Sequence, residues 1–276
     1  MENVSSADQR AGEGLLGRIG SVTRIVMARL ARPVVVPAHI DRTLPQNPFF
    51  CGIVFLWCLI ILQVMLHLDP GLVHWARAAP HGVRQFFRMI TDLGTSGWIL
   101  VTTGVAAIFL ACSNLSTRDR ATRVRRANWH GDLLFVFSTV AVTGILASLI
   151  KNTIGRARPR HLDTLGAYEF DFAAFTSGFA SFPSGHSTTF GAFCACLCLL
   201  FPRATPLWVA FGITGGISRM MVGAHYASDV IAGLLFGSVL TVLFARWLSR
   251  RNVLFVPVEA GRAFVPHRKR LPFRWA

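Results

Sequence analysis

Acidic side chains are scarce in this sequence: 13 Asp and Glu stand against 28 Lys and Arg in 276 residues, and charged residues of both signs make up only 15%. So few carboxylates work against a two-metal hydrolytic centre, which needs several carboxylates or histidines together. The few that are present do not alternate with basic residues along amphipathic faces. No long internal repeat, low-complexity tract or second domain is visible. The first 48 residues are polar and Arg-bearing, and the apolar run after them lacks a small-residue cleavage pattern, so that run is expected to stay in the membrane. Six cysteines, Cys51, Cys58, Cys112, Cys194, Cys196 and Cys198, lie in or beside apolar stretches. Cys194 and Cys198 fall on one helical face, but a thiolate metal site brings further ligands nearby, so these residues read as small apolar packing.

Apolar residues are plentiful, at 53%. Stretches near the roughly 20 residues a helix needs to cross a hydrocarbon core occur at 49–68, 94–112, 133–151, 186–202, 205–222 and 229–248. The expected fold is therefore all-α, a polytopic membrane protein built as a bundle of six transmembrane helices. Residues 1–48 form an N-terminal segment, 49–250 the six-span domain and 251–276 a basic tail. Within the first segment, GLLGRIGSVTRIVMARLARP mixes Leu and Ile with Arg at roughly helical spacing. It reads either as an amphipathic helix on an anionic membrane surface or as a partly disordered basic tail.

Basic residues orient the spans. Twenty of the 28 Lys and Arg fall in the N-terminal segment, the loop RDRATRVRR, Arg203 and the C-terminal end, which six spans place on one side, expected to be cytoplasmic. The net charge of +15 then reflects topology and phospholipid attraction, with no nucleic-acid partner implied.

Ionisable groups at membrane depth cost roughly 3 kcal/mol each unless paired or hydrated, so they mark functional candidates. With the N-terminus inside, KNTIGRARPR at the end of the third span, SFPSGHS at the start of the fourth and ISRMMVGAHYASD between the fifth and sixth all reach the outer face. Lys151 and Arg158 are seven residues apart, on one face if the helix continues, with Gly155 and Pro159 available to bend and stop it. A planar Arg fork beside a Lys point charge suits a phosphate. Ser184 fits a helix N-cap, and Gly185 opens the first backbone N–H groups to an anion, with His186 beside it. His225 and Asp229 are four residues apart, so the carboxylate can accept from one ring nitrogen and leave the other nucleophilic. Arg219 joins the clamp.

Lys and two Arg for charge, two His and one orienting Asp meet the needs of phosphoryl transfer without a metal or other cofactor. His225 would attack phosphorus, His186 would protonate the leaving oxygen and later activate water, and Asp229 would hold His225. The pair Cys112 and Arg118 has the C-x5-R spacing of cysteine-dependent phosphatases, but the intervening SNLST has no glycine to bend into a phosphate cradle.

These motifs, KNTIGRARP, PSGH and SRMMVGAHYASD, resemble the tripartite pattern of the PAP2 superfamily, the type 2 phosphatidic acid phosphatases, over roughly residues 50 to 250. The resemblance implies the family's six-helix membrane bundle with the site at the outer leaflet. It implies Lys151, Arg158, Ser184, Gly185 and Arg219 as phosphate ligands, His186 as general acid, His225 as nucleophile, Asp229 as its partner, and no metal. The implied substrate is a membrane lipid phosphate: phosphatidylglycerophosphate, undecaprenyl pyrophosphate, phosphatidate, or the 1- or 4′-phosphate of lipid A. A lipid-to-lipid phosphotransferase uses the same site, and a lipid or anion transporter would use the same cationic pocket without chemistry. The implied location is the inner membrane, with both termini cytoplasmic and the site facing the periplasm.

Overall fold

Apolar runs and helix breakers set the element order in the computed structural model, which describes residues 48–112, 119–251, 253–257 and 264–266. Helix α1 (Pro48–His67) is followed at once by α2 (Asp69–Ala78), whose Pro70 sits in the first turn, where a missing N–H costs nothing. Pro80 precedes α3 (His81–Asp92), and α4 is Ser96–Cys112. The longest helix, α5 (Arg120–Ile154), has 35 residues, and the Asp119 carboxylate caps it by accepting from the Thr122 N–H at 3.1 Å. A loop holding one helical turn, Leu162–Leu165, leads to α6 (Gly185–Leu200), α7 (Thr205–Met221) and α8 (Ala227–Ser249). A short antiparallel pair, β1 (Phe255–Pro257) and β2 (Phe264–Pro266), follows with Val256 opposite Val265. The N-terminal amphipathic segment, Arg118 and the basic run after Pro266 lie outside the described residues.

The protein is an all-α membrane bundle. Helices α1, α4, α5, α6, α7 and α8 occupy the six apolar stretches of the sequence. Among the described residues four helical stretches are long and apolar enough to cross a bilayer: Phe50–His67, His81–Cys112, Val124–Ile154 and Ala227–Ser249. Helix α6 is apolar but has 16 residues. Packing ranks them from outside inward: the apolar window of α1 is 0% buried, that of α5 33% and that of α8 44%. The exposed side of α1, with Phe55, Leu56 and Leu62, suits contact with lipid chains.

The centre of the bundle is the α6–α8 pair, which lie backbone against backbone. A Cβ on Gly191 would stand 2.2 Å from the Leu234 carbonyl oxygen, and one on Gly237 would stand 2.2 Å from that of Thr188. Small residues permit this approach between membrane helices. Its effect is to set the N-termini of both helices side by side, where the Ser184 N–H donates to the Asp229 carbonyl at 3.1 Å. Toward the other end Ile99, Phe135, Val140, Ala192, Leu200 and Leu248 form the apolar core, with Cys196 buried among them.

Lys151 and Arg158 do not share one helical face, because the helix does not continue past the expected stop. Helix α5 stops at Ile154, because Gly155 takes a left-handed conformation (φ 64°) and its N–H returns to the Lys151 carbonyl. The chain then runs extended and is held by backbone hydrogen bonds: Ala157 to Glu169 (2.9 Å), Arg158 to Gly178 (2.9 Å) and Ser181 to Arg156 (3.1 Å). Arg158 is therefore placed by this stitched loop and not by helical periodicity.

Gly155 is irreplaceable on two counts, since a Cβ there would also fall 1.7 Å from the Asp171 carbonyl oxygen. Gly155→Ala should lower stability by at least about 1–2 kcal/mol from the left-handed conformation alone. A reduced thermal midpoint of the detergent-solubilised protein checks this, and an unchanged midpoint would show that the loop is not held as described.

Candidate active site

Three segments distant in sequence meet at one end of the bundle. Lys151 projects from the last turn of α5, Arg158 from the stitched loop, His186 from the first turn of α6, Arg219 from the last turn of α7, and His225 from the turn before α8. His186 lies within electrostatic reach of Lys151, Arg158, Arg219 and His225 together. The structure thus gathers these five residues into one cluster.

The three cations of this cluster are held but not neutralised. Among the described residues none of Lys151, Arg158 and Arg219 lies within 4.0 Å of a carboxylate. Arg219 donates through Nη1 to the Thr91 hydroxyl of α3 at 2.6 Å, and Arg158 reaches the Ala180 carbonyl only at 3.5 Å. The Nε of each is buried with no partner. Buried guanidinium donors left open in this way are costly unless an anion fills them. Burial, together with the neighbouring Arg160 charge, also makes Arg158 a weaker base than an ordinary guanidinium.

Ser184 caps α6, its hydroxyl accepting from the Ser187 N–H at 3.3 Å and the Ser187 hydroxyl at 2.9 Å, and it is fully buried. Gly185 faces open space, since a Cβ there would meet nothing within 4 Å. The first N–H groups of α6 and the positive end of its dipole consequently remain accessible to an anion beside His186.

His225 is held differently from the direct His–Asp pairing that the four-residue spacing suggested. Its Nδ1 stands 3.8 Å from the Asp229 carboxylate but 2.8 Å from the Ser181 carbonyl. A carbonyl can only accept, so Nδ1 carries the proton and the lone pair of the neutral ring sits on Nε2. Asp229 acts one step back, accepting from the Ser181 hydroxyl at 2.6 Å and from the Tyr226 N–H at 2.9 Å. Serine 181 so links carboxylate and imidazole through its two ends.

Behind Asp229 lies a charge network that sequence reasoning missed. Arg156, fully buried, donates to Asp229 at 2.6 Å and to Asp69 of α2 at 2.9 Å, and also to the Ser228 hydroxyl and the Ala167 carbonyl. Its guanidinium lies 4.2 Å from the centre of the Tyr226 ring. Signals for these residues existed. Arg156 and Ser181 stand inside the KNTIGRARPR and SFPSGHS stretches, and Asp69 is one of few acids in a chain poor in them. Among the described residues no group of three His, Cys, Asp or Glu is placed to hold a metal ion, and the positive charge offered to a ligand is that of Lys151, Arg158 and Arg219.

An anion cradle at the meeting point of membrane helices, with one imidazole locked in a nucleophilic tautomer, defines a class: a membrane-embedded phosphoryl-transfer site. A family model described as the PAP2 superfamily matches residues 132–253. A lipid A 1-phosphatase of Rhizobium johnstonii is 42% identical over 71% of this chain and 79% of its own length, and one from Rhizobium etli is 40% identical over 65% and 78%. Phospholipid phosphatase 2 of Mus musculus is 27% identical over 64% of this chain and 76% of its own. Among solved structures, the transmembrane PAP2-type phosphatidylglycerolphosphate phosphatase of Bacillus subtilis shares the fold, with a TM-score of 0.50 at 19% identity over 70% of this chain and 92% of that one. The chain belongs to the PAP2 superfamily, in its membrane lipid phosphatase branch.

Burial, with Arg158 and Arg219 nearby, lowers the His225 pKa from its ordinary 6.5, although Asp229 opposes the shift. Were His225 the attacking group, its protonation would remove the Nε2 lone pair, and activity would fall as pH drops through that lowered value. The acid limb of kcat/KM, which reports the free enzyme, should accordingly lie below pH 6.5. A limb at or above that value would contradict the placement of His225.

Proposed function

We propose that this protein hydrolyses a phosphate monoester on a lipid headgroup through a phosphohistidine on His225, and that the 1-phosphate of lipid A is its substrate. The observation that carries the reading is the set of three cations without carboxylate partners, two with open buried Nε donors, gathered beside His186 and His225. The named activity of the two Rhizobium relatives supports the choice of lipid.

In the proposed reaction Lys151, Arg158, Arg219 and the α6 N-terminus hold the equatorial oxygens, where charge is spread in the transition state. Nε2 of His225 forms a bond to phosphorus as the bond to the sugar oxygen breaks. His186 gives that oxygen its proton, and the phosphate seated beside it supplies the counter-charge a protonated imidazole needs. His186 then takes a proton from water, which attacks phosphorus and frees Nε2. The Ser181 carbonyl and Asp229 stabilise the positive ring that exists between the two steps. Ser184 contributes by shaping the helix end, and no metal takes part.

The proposed topology has six spans, with residues 1–48 and the tail from 251 on the cytoplasmic side and the site at the periplasmic face of the inner membrane. The basic bias of the N-terminal segment, residues 118–126 and the tail supports this orientation. The acyl chains of the substrate then stay in the bilayer while the headgroup reaches the cluster. The loop 160–181 and helix α3, which supplies Thr91 to Arg219, frame the entrance.

The purified protein should release phosphate from lipid A bearing a 1-phosphate faster than from phosphatidylglycerophosphate, phosphatidate or undecaprenyl pyrophosphate. His225→Ala should abolish turnover and the acid-labile labelled protein trapped from radiolabelled substrate. Transfer of the label to a second lipid, with none in solution, would instead make the protein a phosphotransferase, and turnover surviving in His225→Ala would remove His225 from the reaction. Arg219→Lys keeps charge but not the fork, and should lower kcat/KM about tenfold, as loss of one charge-assisted bond of about 1.5 kcal/mol predicts.

A further inference from the structure

The charge network behind Asp229 contains more negative charge than that residue alone requires. Arg156 is shared between two carboxylates, Asp229 at 2.6 Å and Asp69 at 2.9 Å, and all three side chains are fully buried. Asp69 is itself fixed by the Ser228 N–H at 3.0 Å and by the Ser228 hydroxyl. It comes from α2, before the segment 132–253 that the family model matches. A lone Arg156–Asp229 pair would cancel Asp229's charge; Asp69, whose pKa burial raises but whose two oxygens meet only donors from Arg156 and Ser228, divides the guanidinium as a second carboxylate and leaves the buried trio net negative.

We propose that Asp69 and Arg156 are positioning residues for the phosphoryl-transfer step: they aim Asp229 at Ser181 and, by dividing the Arg156 charge, leave Asp229 negative enough to stabilise the positive ring of His225. The inference rests on the phosphohistidine reading above. Neither residue touches substrate; both act through Asp229 and the Ser181 link, whose hydroxyl donates to Asp229 and whose carbonyl accepts from His225. The other charged groups facing His225 are Arg158 from the loop, Arg219 from α7 and His186 from α6, with Lys151 of α5 beside His186. All are cationic or neutral, so the negative charge felt at His225 comes from this trio.

The sign of each substitution follows from the charge count. Asp69→Asn keeps the shape and removes one negative charge, so all of Arg156 falls on Asp229. The acid limb of kcat/KM should move to lower pH and kcat should drop, while KM changes less than about twofold because the phosphate clamp is intact. Adding Arg156→Gln to Asp69→Asn removes the cation as well, and the limb should return toward or above its wild-type position. A residue with a merely structural role would lower the thermal midpoint without moving the limb in opposite directions.

The experiment is a pH–rate series on lipid A bearing a 1-phosphate, with thermal midpoints, for the wild type, Asp69→Asn, the double variant and Arg156→Lys. Opposite shifts support the proposal, and an unmoved limb in folded Asp69→Asn overturns it. Should Asp69→Asn not fold, Arg156→Lys decides: it keeps the charge but cannot reach both carboxylates, so kcat should fall about 10²-fold, as misplacement of a catalytic group by about 1 Å does. Wild-type kcat in that variant overturns the proposal. A wild type that releases no phosphate refutes the function proposed above and is read separately from any shift among active variants.

Discussion

Arg156 is the point on which the site is suspended. Its guanidinium joins three elements, α2 through Asp69, the loop after α5 through its own backbone, and the start of α8 through Asp229 and Ser228, beside the small apolar cluster of Val73, Ala167 and Tyr226 that the same elements share. Each bond is charge-assisted and dry, and its geometry is bought by the others. Removal of Arg156 strands two buried carboxylates, and a buried charge left without its partner costs about 3–5 kcal/mol in comparable cases. Arginine is required for this because only a planar fork presents donors to two carboxylates, a hydroxyl and a carbonyl at once.

The rest of the site is built on that fixture. The loop that carries Arg156 also carries Arg158, two residues on, and its backbone bonds to Glu169 and Gly178 set the direction of both. The same loop ends at Ser181, whose N–H donates to the Arg156 carbonyl, so the residue that orients His225 is aligned from both sides. Beneath it the glycine seam between α6 and α8 sets the two helix starts side by side. Displacement of that seam by one residue would separate His186 from His225. Packing at the centre of the bundle and chemistry at its end are thus one constraint.

What could be read from the sequence was what repeats as a local rule. Apolar length gave the helices, and residue type with position relative to the spans gave the cluster of Lys151, Arg158, His186, Arg219 and His225. Ser184 as cap and Gly155 as stop follow from local backbone chemistry in the same way. The residues that were not legible act through long-range contacts. Asp69 lies 87 positions from Arg156, and no periodicity links them. Ser181 serves by its carbonyl as much as by its hydroxyl, and a main-chain acceptor has no sequence signature. The His225–Asp229 spacing was misleading for a related reason. Four residues bring the groups within 3.8 Å, but the capping turn at Tyr226 draws the carboxylate toward its own N–H and leaves the ring to Ser181.

The two populations of basic residues at this end of the bundle explain each other. Arg156 has a surplus of carboxylates and cannot leave them; Lys151, Arg158 and Arg219 have none within 4.0 Å among the described residues. Had the acids been spread evenly, every cation would be neutralised and the site would have little attraction for a phosphate. Had there been no acids, nothing would balance the positive ring that the proposed phosphohistidine would create. The scarcity of Asp and Glu in the whole chain makes this separation possible, because the two buried carboxylates are held by Arg156, more than 4.0 Å from every cation of the clamp. A bilayer-embedded protein gains further from it, since open cations at the end of a membrane bundle are tolerable only where water or an anionic headgroup can reach them.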